Sequence, residues 1–210
     1  MSVRAVIFDM GNVLIDWDPE RTYQVLLPDP QDRARFFSGL FRRMHNLVHD
    51  THRPFGEVLA PLKREMPDDI PLIEMFEYRW HSFLYGPLGE TVRILEALRV
   101  KGVPLYGLSN WPHQTWPPQA TDPSHDYGFL AYFEDIVVSG TVGMRKPEAE
   151  IYLHALARFG LAPHEALFVD DLLENVRAAE AVGIVGHHFH QGGGVTLVET
   201  LVAHGLLDPR

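Results

Sequence analysis

Four groups of polar residues stand where a buried strand would end or in the loop beyond such a strand. The first group is preceded by Val6, Ile7 and Phe8, a nearly continuous β-branched and aromatic run typical of a strand covered on both faces. Open α/β sheets bind ligands at the carboxyl edge of their parallel strands, so we expect the four groups to lie close together. They are Asp9, then Ser109 with Asn110, then Lys146, and finally Asp170 with Asp171.

Each of these groups, taken alone, is as typical of a helix cap or a turn as of a functional site. Their shared position after successive strands favours the functional interpretation. Gly11 and Asn12 tolerate left-handed backbone angles, so the chain can turn sharply after Asp9 and hold its carboxylate at the sheet edge.

The elements that would position these residues follow from the pattern after Gly89, where strands and helices alternate. The segments "VPLYGLSN", "EDIVVSG", "ALFVDD" and "IVGHHF" are typical of strands, and residues 91–100 and "AEIYLHALARFG" of helices. This order predicts an α/β fold with a doubly wound, mainly parallel, Rossmann-like sheet and right-handed crossovers.

Residues 16–86 show no strand pattern. They contain helical stretches with Ile73, Phe76, Trp80 and Phe83 on one stripe, interrupted by prolines. We therefore predict a discontinuous core of residues 1–15 and 87–210, with a helical insertion at 16–86. The interrupting prolines are Pro28, Pro54, Pro61 and Pro67.

Composition and charge exclude several function classes. The chain has 210 residues, is 46% hydrophobic and carries a formal charge of −10 with no cysteine. Nucleic acids and anionic membranes require a basic face, so we expect neither as the main partner. Thiol catalysis and thiolate metal sites are impossible. The amino terminus has no secretory pattern and no transmembrane stretch follows, so we expect a cytoplasmic location.

The segments "FDMGNVL", "LSNW", "GMRKPEAEIY" and "FVDDLLENV" resemble the haloacid dehalogenase-like (HAD) superfamily over nearly the whole chain. In that family the helical insertion after the first motif is the C1 cap. The resemblance is to a subgroup that includes bacterial sugar-phosphate phosphatases. It implies a magnesium-dependent phosphatase that acts on a small phosphorylated metabolite.

The resemblance also implies residue roles. Asp9 would be the nucleophile that forms an aspartyl phosphate. Ser109 and the backbone N–H of Asn110 would bind phosphoryl oxygens, and Lys146 would neutralise the phosphoryl group and Asp9. Asp171 would be a direct Mg²⁺ ligand with Asp9 and the carbonyl of Gly11, and Asp170 an outer ligand.

The gathering of three carboxylates is itself an argument for a metal. Two carboxylates about 5 Å apart repel by roughly 3 kcal/mol at an effective dielectric of 20, so Asp9, Asp170 and Asp171 are expected together mainly around a divalent cation. Asn175, one helical turn after Asp171, is expected either to hold a ligand in place or to make a cap or solvent contact.

Histidines supply a separate set of candidates. His45 and His49 would share a helix face, with His52 close by, but Asp50 is the one carboxylate near them, which favours ordinary polar residues over a zinc site. The position of His45, Asn46 and His49 after the first motif makes His45 and Asn46 candidate substrate contacts.

The sequence departs from the family at Gly11, where most phosphatases of the superfamily carry a second Asp that protonates the leaving group. Glycine supplies no proton, so we expect a preference for stabilised leaving groups such as aryl or sugar 1-phosphates, unless Asp16, Asp18, His45 or metal-bound water takes that role.

Three alternatives share parts of this pattern. A 2-haloacid dehalogenase uses the same Asp nucleophile, but those enzymes typically lack the acidic pair seen here in "VDD". A signalling receiver domain places its acidic pair first and has no helical insertion. A catalytically weak protein that binds a phosphorylated ligand would retain the cleft without turnover.

Overall fold

Seven strands form two sheets in the computed structural model, which describes residues 2–49 and 51–209. Five parallel strands make the central sheet in the order β5-β4-β1-β6-β7, and β2 pairs antiparallel with β3. The strands are β1 (Ala5–Phe8), β2 (Ile15–Trp17), β3 (Leu84–Pro87), β4 (Leu105–Ser109), β5 (Asp135–Val138), β6 (Ala166–Asp170) and β7 (Val185–His188).

Helices cover both faces of the central sheet. The α-helices are α1 (Pro19–Tyr23), α2 (Pro30–Phe36), α3 (Arg42–Val48), α4 (Phe55–Glu65), α5 (Ile70–Tyr78), α6 (Gly89–Val100), α7 (Pro118–Thr121), α8 (Ser139–Val142), α9 (Ala149–Phe159), α10 (Leu173–Ala181) and α11 (Gly194–Ala203). A π-helical segment, Phe37–Phe41, joins α2 to α3. Short 3-10 segments lie at Pro67–Asp69, Trp80–Phe83, His113–Thr115, Gly128–Tyr132 and Pro163–Glu165.

Alternate residues of β1 face opposite cores, as the period of a strand requires. Val6 and Phe8 belong to a cluster with apolar residues of α6 and α11. Ala5 and Ile7 belong to a second cluster with residues of α9 and α10. A central strand buried on both faces must be apolar throughout, which explains the "AVIF" run. The predicted doubly wound α/β sheet is confirmed.

The helices between β2 and β3 pack around an aromatic cluster of their own, which contains the predicted stripe Ile73, Phe76, Trp80 and Phe83. Two contacts tie this insertion to the sheet edge: the Ser139 hydroxyl donates to the carbonyl of His49, and the backbone N–H of Phe55 donates to the Gln114 side chain at 2.8 Å. The insertion therefore lies over the carboxyl ends of β4 and β5. Its boundaries at 15/16 and 86/87 stay a prediction.

The sequence prediction missed the β2–β3 pair inside this region. Strand β2 has three residues, and β3 contains Gly86 at φ +93 and Pro87, so neither shows a readable alternation. Pro61, predicted to interrupt a helix, lies inside α4, and the helix continues past it to Glu65. In residues 2–49 and 51–209, no helix has the length and apolar character needed to cross a membrane.

Candidate active site

Asp9 occupies the carboxyl end of β1, where the chain leaves the sheet. Its backbone N–H donates to the carbonyl of Val169 at 2.9 Å, which continues the pairing of β1 with β6. The turn that follows depends on Asn12, whose φ of +55 is the left-handed conformation that asparagine tolerates. The side chain of Asp9 is thereby held at the sheet edge and is only 8% exposed.

Lys146 lies between two carboxylates in the interior of the site. Its Nζ is 2.6 Å from Asp170 Oδ2 and 2.9 Å from Asp9 Oδ1, and it donates to the carbonyl of Leu108 at 2.9 Å. The contact with Asp9 is an ion pair, in which Oδ1 makes no hydrogen bond of good geometry. The Asn110 side chain makes two hydrogen bonds of 2.9 Å to the backbone of Lys146: its Nδ2 donates to the carbonyl, and its Oδ1 accepts from the N–H. Lys146 is thus fixed where it neutralises both acids.

Asp170 and Asp171 occupy different environments although they are adjacent. Asp170 is fully buried, and its oxygens accept from Lys146 Nζ, from the backbone N–H of Leu172 at 2.8 Å and from Asn175 Nδ2 at 3.0 and 3.1 Å. Asp171 is less buried and lines the cavity beside Asp9. Asp171 is therefore the better placed of the two to meet a ligand, while Asp170 holds Lys146.

The three carboxylates form a compact oxygen cluster. One oxygen each of Asp9, Asp170 and Asp171 lie within 4.8 Å of one another. Carboxylate oxygens are the ligands that Mg²⁺ prefers, and Oδ1 of Asp9, buried beside Lys146 Nζ, makes no hydrogen bond of good geometry. The residues present therefore fit a hard divalent cation.

The pKa values of Asp9, Asp171 and Lys146 are all shifted by burial and by their mutual charges. Burial raises the pKa of Asp9 to about 6, an effect that Lys146 opposes and Asp170 reinforces. Burial, with repulsion from Asp9 and Asp170, raises the pKa of Asp171 to about 7. Burial would lower the pKa of Lys146, but the attraction of Asp170 and Asp9 outweighs it and the pKa is raised. A bound cation would offset the repulsion among the carboxylates, which adds to the effect of burial on both pKa values.

A cavity of about 160 Å³ opens onto these groups. Its lining brings together most of the predicted site residues, namely Asp9, Gly11, Ser109, Asn110, Lys146, Asp171 and His45, with Asn12, His49, Asn175, Leu172, Trp17, Trp80 and Trp111. A larger cavity of about 790 Å³ lies between α6 and α11. We locate the site at the smaller one, because the clustered ionisable groups face it.

Of the residues predicted in the insertion, His45 and His49 line this cavity, whereas Asn46 lies at the surface. His45 and His49 stack with their ring centroids 3.6 Å apart, and His49 Nδ1 bonds to the carbonyl of His45. Burial lowers the pKa of both, that of His49 to about 4, so each ring is neutral near pH 7. Asn46 is exposed and does not line the cavity; its carbonyl lies 3.5 Å from Arg145 Nη1.

No zinc-type group forms around these histidines among the described residues, whose one cluster of potential metal ligands is the aspartate triad. His52 instead contacts His113, with ring centroids 5.0 Å apart. Asp50 lies outside the described residues.

Two features of the site were not predicted from the sequence. Asn12 was interpreted only as a turn residue, yet its Oδ1 accepts from the backbone N–H of Trp17 at 3.2 Å and its side chain bonds to Asp171, which opposes the rise in that acid's pKa. Trp17 and Trp80 also line the cavity. The polar type of Asn12 beside Gly11 was the available signal, whereas nothing local to Trp17 or Trp80 indicated their orientation.

Comparison with known proteins gives a consistent result. A family model described as a haloacid dehalogenase-like hydrolase matches residues 3–183. The chain is 31% identical over 194 residues to a sesquiterpene phosphatase of Aspergillus oryzae, covering 88% of this chain and 89% of the relative. It is 32% identical over 206 residues to a phosphoglycolate phosphatase of Thiobacillus denitrificans, covering 93% and 88%.

The fold is also similar to that of a HAD family enzyme of Bacteroides thetaiotaomicron solved with magnesium and inorganic phosphate. The TM-score is 0.64 at 22% identity, and the similarity covers 90% of this chain and 96% of the other.

Proposed function

The chain belongs to the haloacid dehalogenase-like hydrolases, and on that basis we propose that it is a magnesium-dependent phosphatase that acts through a phosphorylated Asp9. The observation that carries the proposal is the triad of Asp9, Asp170 and Asp171 with Lys146 buried between two of its members. This arrangement combines an anionic nucleophile, a fixed cation and oxygen ligands for a metal at one sheet edge.

The nucleophile is the carboxylate of Asp9. One of its oxygens forms a bond to phosphorus while the bond from phosphorus to the ester oxygen breaks; the ester oxygen leaves with the electron pair as an alkoxide or phenoxide and takes its proton from water. Water then attacks the phosphorus of the aspartyl phosphate, which releases inorganic phosphate and restores the carboxylate. The deprotonated form of Asp9 is required, and Lys146 favours it.

The surrounding residues bind and orient the phosphoryl group. Lys146 offsets the negative charge of Asp9 and of the phosphoryl oxygens, and Ser109 with the backbone N–H of Asn110 donates to those oxygens. Asp9, Asp171 and the carbonyl of Gly11 would hold Mg²⁺, with Asp170 behind them. When bound, Mg²⁺ neutralises charge on the phosphoryl group. His45 contacts the substrate from the insertion, and Asn46 requires a movement of that segment to do so.

The relatives support phosphatase activity and leave the substrate class open. Two of them are named for chemically different esters, a sesquiterpene phosphate and phosphoglycolate. The substrate of this chain is accordingly proposed at the level of a small phosphorylated metabolite.

The test is hydrolysis of 4-nitrophenyl phosphate with Mg²⁺ and with excess chelator, in the native chain and in Asp9→Asn. We expect turnover only for the native chain with Mg²⁺, because the amide keeps the shape of the side chain but removes the anionic nucleophile. Asp68→Asn, at an exposed position of the insertion, is the matched control and should retain activity.

Other outcomes of the same assay would contradict the proposal. Full activity in chelator or in Asp9→Asn would exclude the metal-assisted aspartyl mechanism. Release of halide from 2-haloacids without phosphatase activity would identify a dehalogenase, and tight phosphate binding without turnover would identify a binding protein.

A further inference from the structure

Three tryptophans, Trp17, Trp80 and Trp111, line the cavity above the carboxylates; we call them the indole wall. Trp80 lies between the other two, with ring centroids 6.2 Å from Trp17 and 6.4 Å from Trp111. Trp80 and Trp111 are almost fully buried, at 4% and 2% exposure, and are fixed by packing. The part of the cavity beyond the phosphoryl-binding residues is thus bounded by large, rigid aromatic surfaces.

The cavity offers no second cation for an anionic substituent. Among the described residues that line it, Lys146 alone carries a cationic group, and its Nζ already contacts Asp9 and Asp170. His45 and His49 are neutral near pH 7. Arg145 is not among the lining residues; its Nε lies 3.3 Å from Glu148, and its charge reaches the cavity only through the lowering of the His45 and His49 pKa values. A carboxylate in this space would be buried without a cationic partner.

The space beside the carboxylates extends beyond one small cavity. The cavity of about 160 Å³ must hold the phosphoryl group as well as part of the alcohol, and a second cavity of about 410 Å³ shares Asn12, Trp17 and Asp171 with it. The lining therefore favours the type of group that is bound, an aromatic or apolar ring against the indole wall, rather than its size.

We propose that the site selects phosphate esters of apolar, ring-bearing alcohols and discriminates against esters that carry a carboxylate. This inference rests on the proposed phosphatase function and deepens it. It also agrees with the absence of an acid at Gly11, since the alcohol of an aryl ester departs without protonation more easily than an alkyl alcohol.

The direct test compares two ligands that share a methylene phosphonate and differ only in the attached group, a phenyl ring in benzylphosphonate and a carboxylate in phosphonoacetate. Neither is hydrolysed, so calorimetric titration in Mg²⁺ measures recognition separately from chemistry. We expect benzylphosphonate to bind at least about tenfold more tightly. Equal affinity, or tighter binding of phosphonoacetate, would overturn the inference.

Variants of Trp17 then locate the preference. Trp17→Leu should weaken benzylphosphonate binding about five- to tenfold and leave inorganic phosphate binding unchanged, whereas Trp17→Phe should retain most of the affinity. Tyr78→Leu removes an exposed aromatic side chain outside the cavity and should have no effect. Equal weakening of both ligands in a folded Trp17→Leu protein would contradict a role in recognising the ring.

Turnover of benzyl phosphate, phosphoglycolate and glucose 6-phosphate completes the test. All three are esters of alkyl alcohols, so differences in kcat/KM report mainly on recognition of the group rather than on its departure. Benzyl phosphate is expected to be the best of the three, and a preference for either of the others would overturn the inference. If 4-nitrophenyl phosphate is not hydrolysed either, the proposed function itself has failed, and the phosphonate titration still decides which group the cavity accepts.

Discussion

Replacement of Lys146 by methionine perturbs the electrostatics of the site most directly. The change keeps an unbranched side chain of similar length and removes the charge 2.6 Å from Asp170 and 2.9 Å from Asp9. At an effective dielectric of about 20, a charge pair at these distances attracts by about 6 kcal/mol. Dehydration of the ammonium group offsets part of this attraction, and breaking a buried pair costs about 3–5 kcal/mol net.

We therefore expect Lys146→Met to lower the free energy of unfolding by about 3–5 kcal/mol in chelator, because Asp170 is fully buried and would lose its cation. Urea unfolding followed by tryptophan fluorescence measures this value. Adding Asp170→Asn to Lys146→Met should recover part of the loss, since the uncompensated charge is then absent.

A matched control is available at the surface. Lys101 lies 2.8 Å from Asp208, but that carboxylate is 85% exposed, so Lys101→Met should cost less than about 1 kcal/mol. If Lys146→Met costs no more than Lys101→Met, the buried ion pair does not stabilise the fold as reasoned here.

Three further predictions follow from the same residues. Between about pH 4 and 7 the metal-free native chain should lose stability relative to Asp171→Asn, because the raised pKa of Asp171 means that the folded state keeps a proton that the unfolded state releases, whereas the lowered pKa values of His45 and His49 act in the opposite direction in both proteins alike; urea unfolding of both proteins at several pH values checks this, and the same pH dependence in both would contradict it. Asp171→Ala should weaken Mg²⁺ binding in calorimetry more than Asp170→Ala, and the opposite ranking would exchange their roles. Gly11→Asp should fit, since a Cβ at this position would lie 4.0 Å from its nearest neighbour. The added carboxyl group can protonate the leaving group, so hydrolysis of esters with poor leaving groups should speed up at least about tenfold while that of 4-nitrophenyl phosphate changes little. An unchanged dependence on leaving-group pKa would show that another residue already supplies the proton.

The sheet and the polar groups at its edge were predictable because both depend on short-range patterns. Apolar runs such as "AVIF" and "ALFVD" identify buried strands, and parallel strands place the residues that follow them at one edge. The proximity of Asp9 and Asp170 therefore follows from topology, whereas Lys146 lies in the loop beyond α8 and is held there by Asn110.

The details that decide the chemistry depend on contacts distant in sequence. The bond from Asn12 to Asp171 and the two bonds from Asn175 to Asp170 require side-chain orientations that no local pattern specifies. The indole wall brings together residues from β2, the insertion and the loop after β4, so its existence depends on how the insertion packs over the sheet. The short β2–β3 pair that carries Trp17 was missed because neither strand shows a readable alternation.

The central claim is that Asp9 becomes covalently phosphorylated during turnover. The most direct measurement is mass spectrometry of protein quenched in acid after brief mixing with Mg²⁺ and 4-nitrophenyl phosphate. We expect a mass gain of one phosphoryl group on the tryptic peptide 5–21, located at Asp9 by fragmentation and absent in Asp9→Asn. Hydrolysis at full rate with the peptide unmodified at every quench time, or with the phosphoryl group on another residue, would contradict the account.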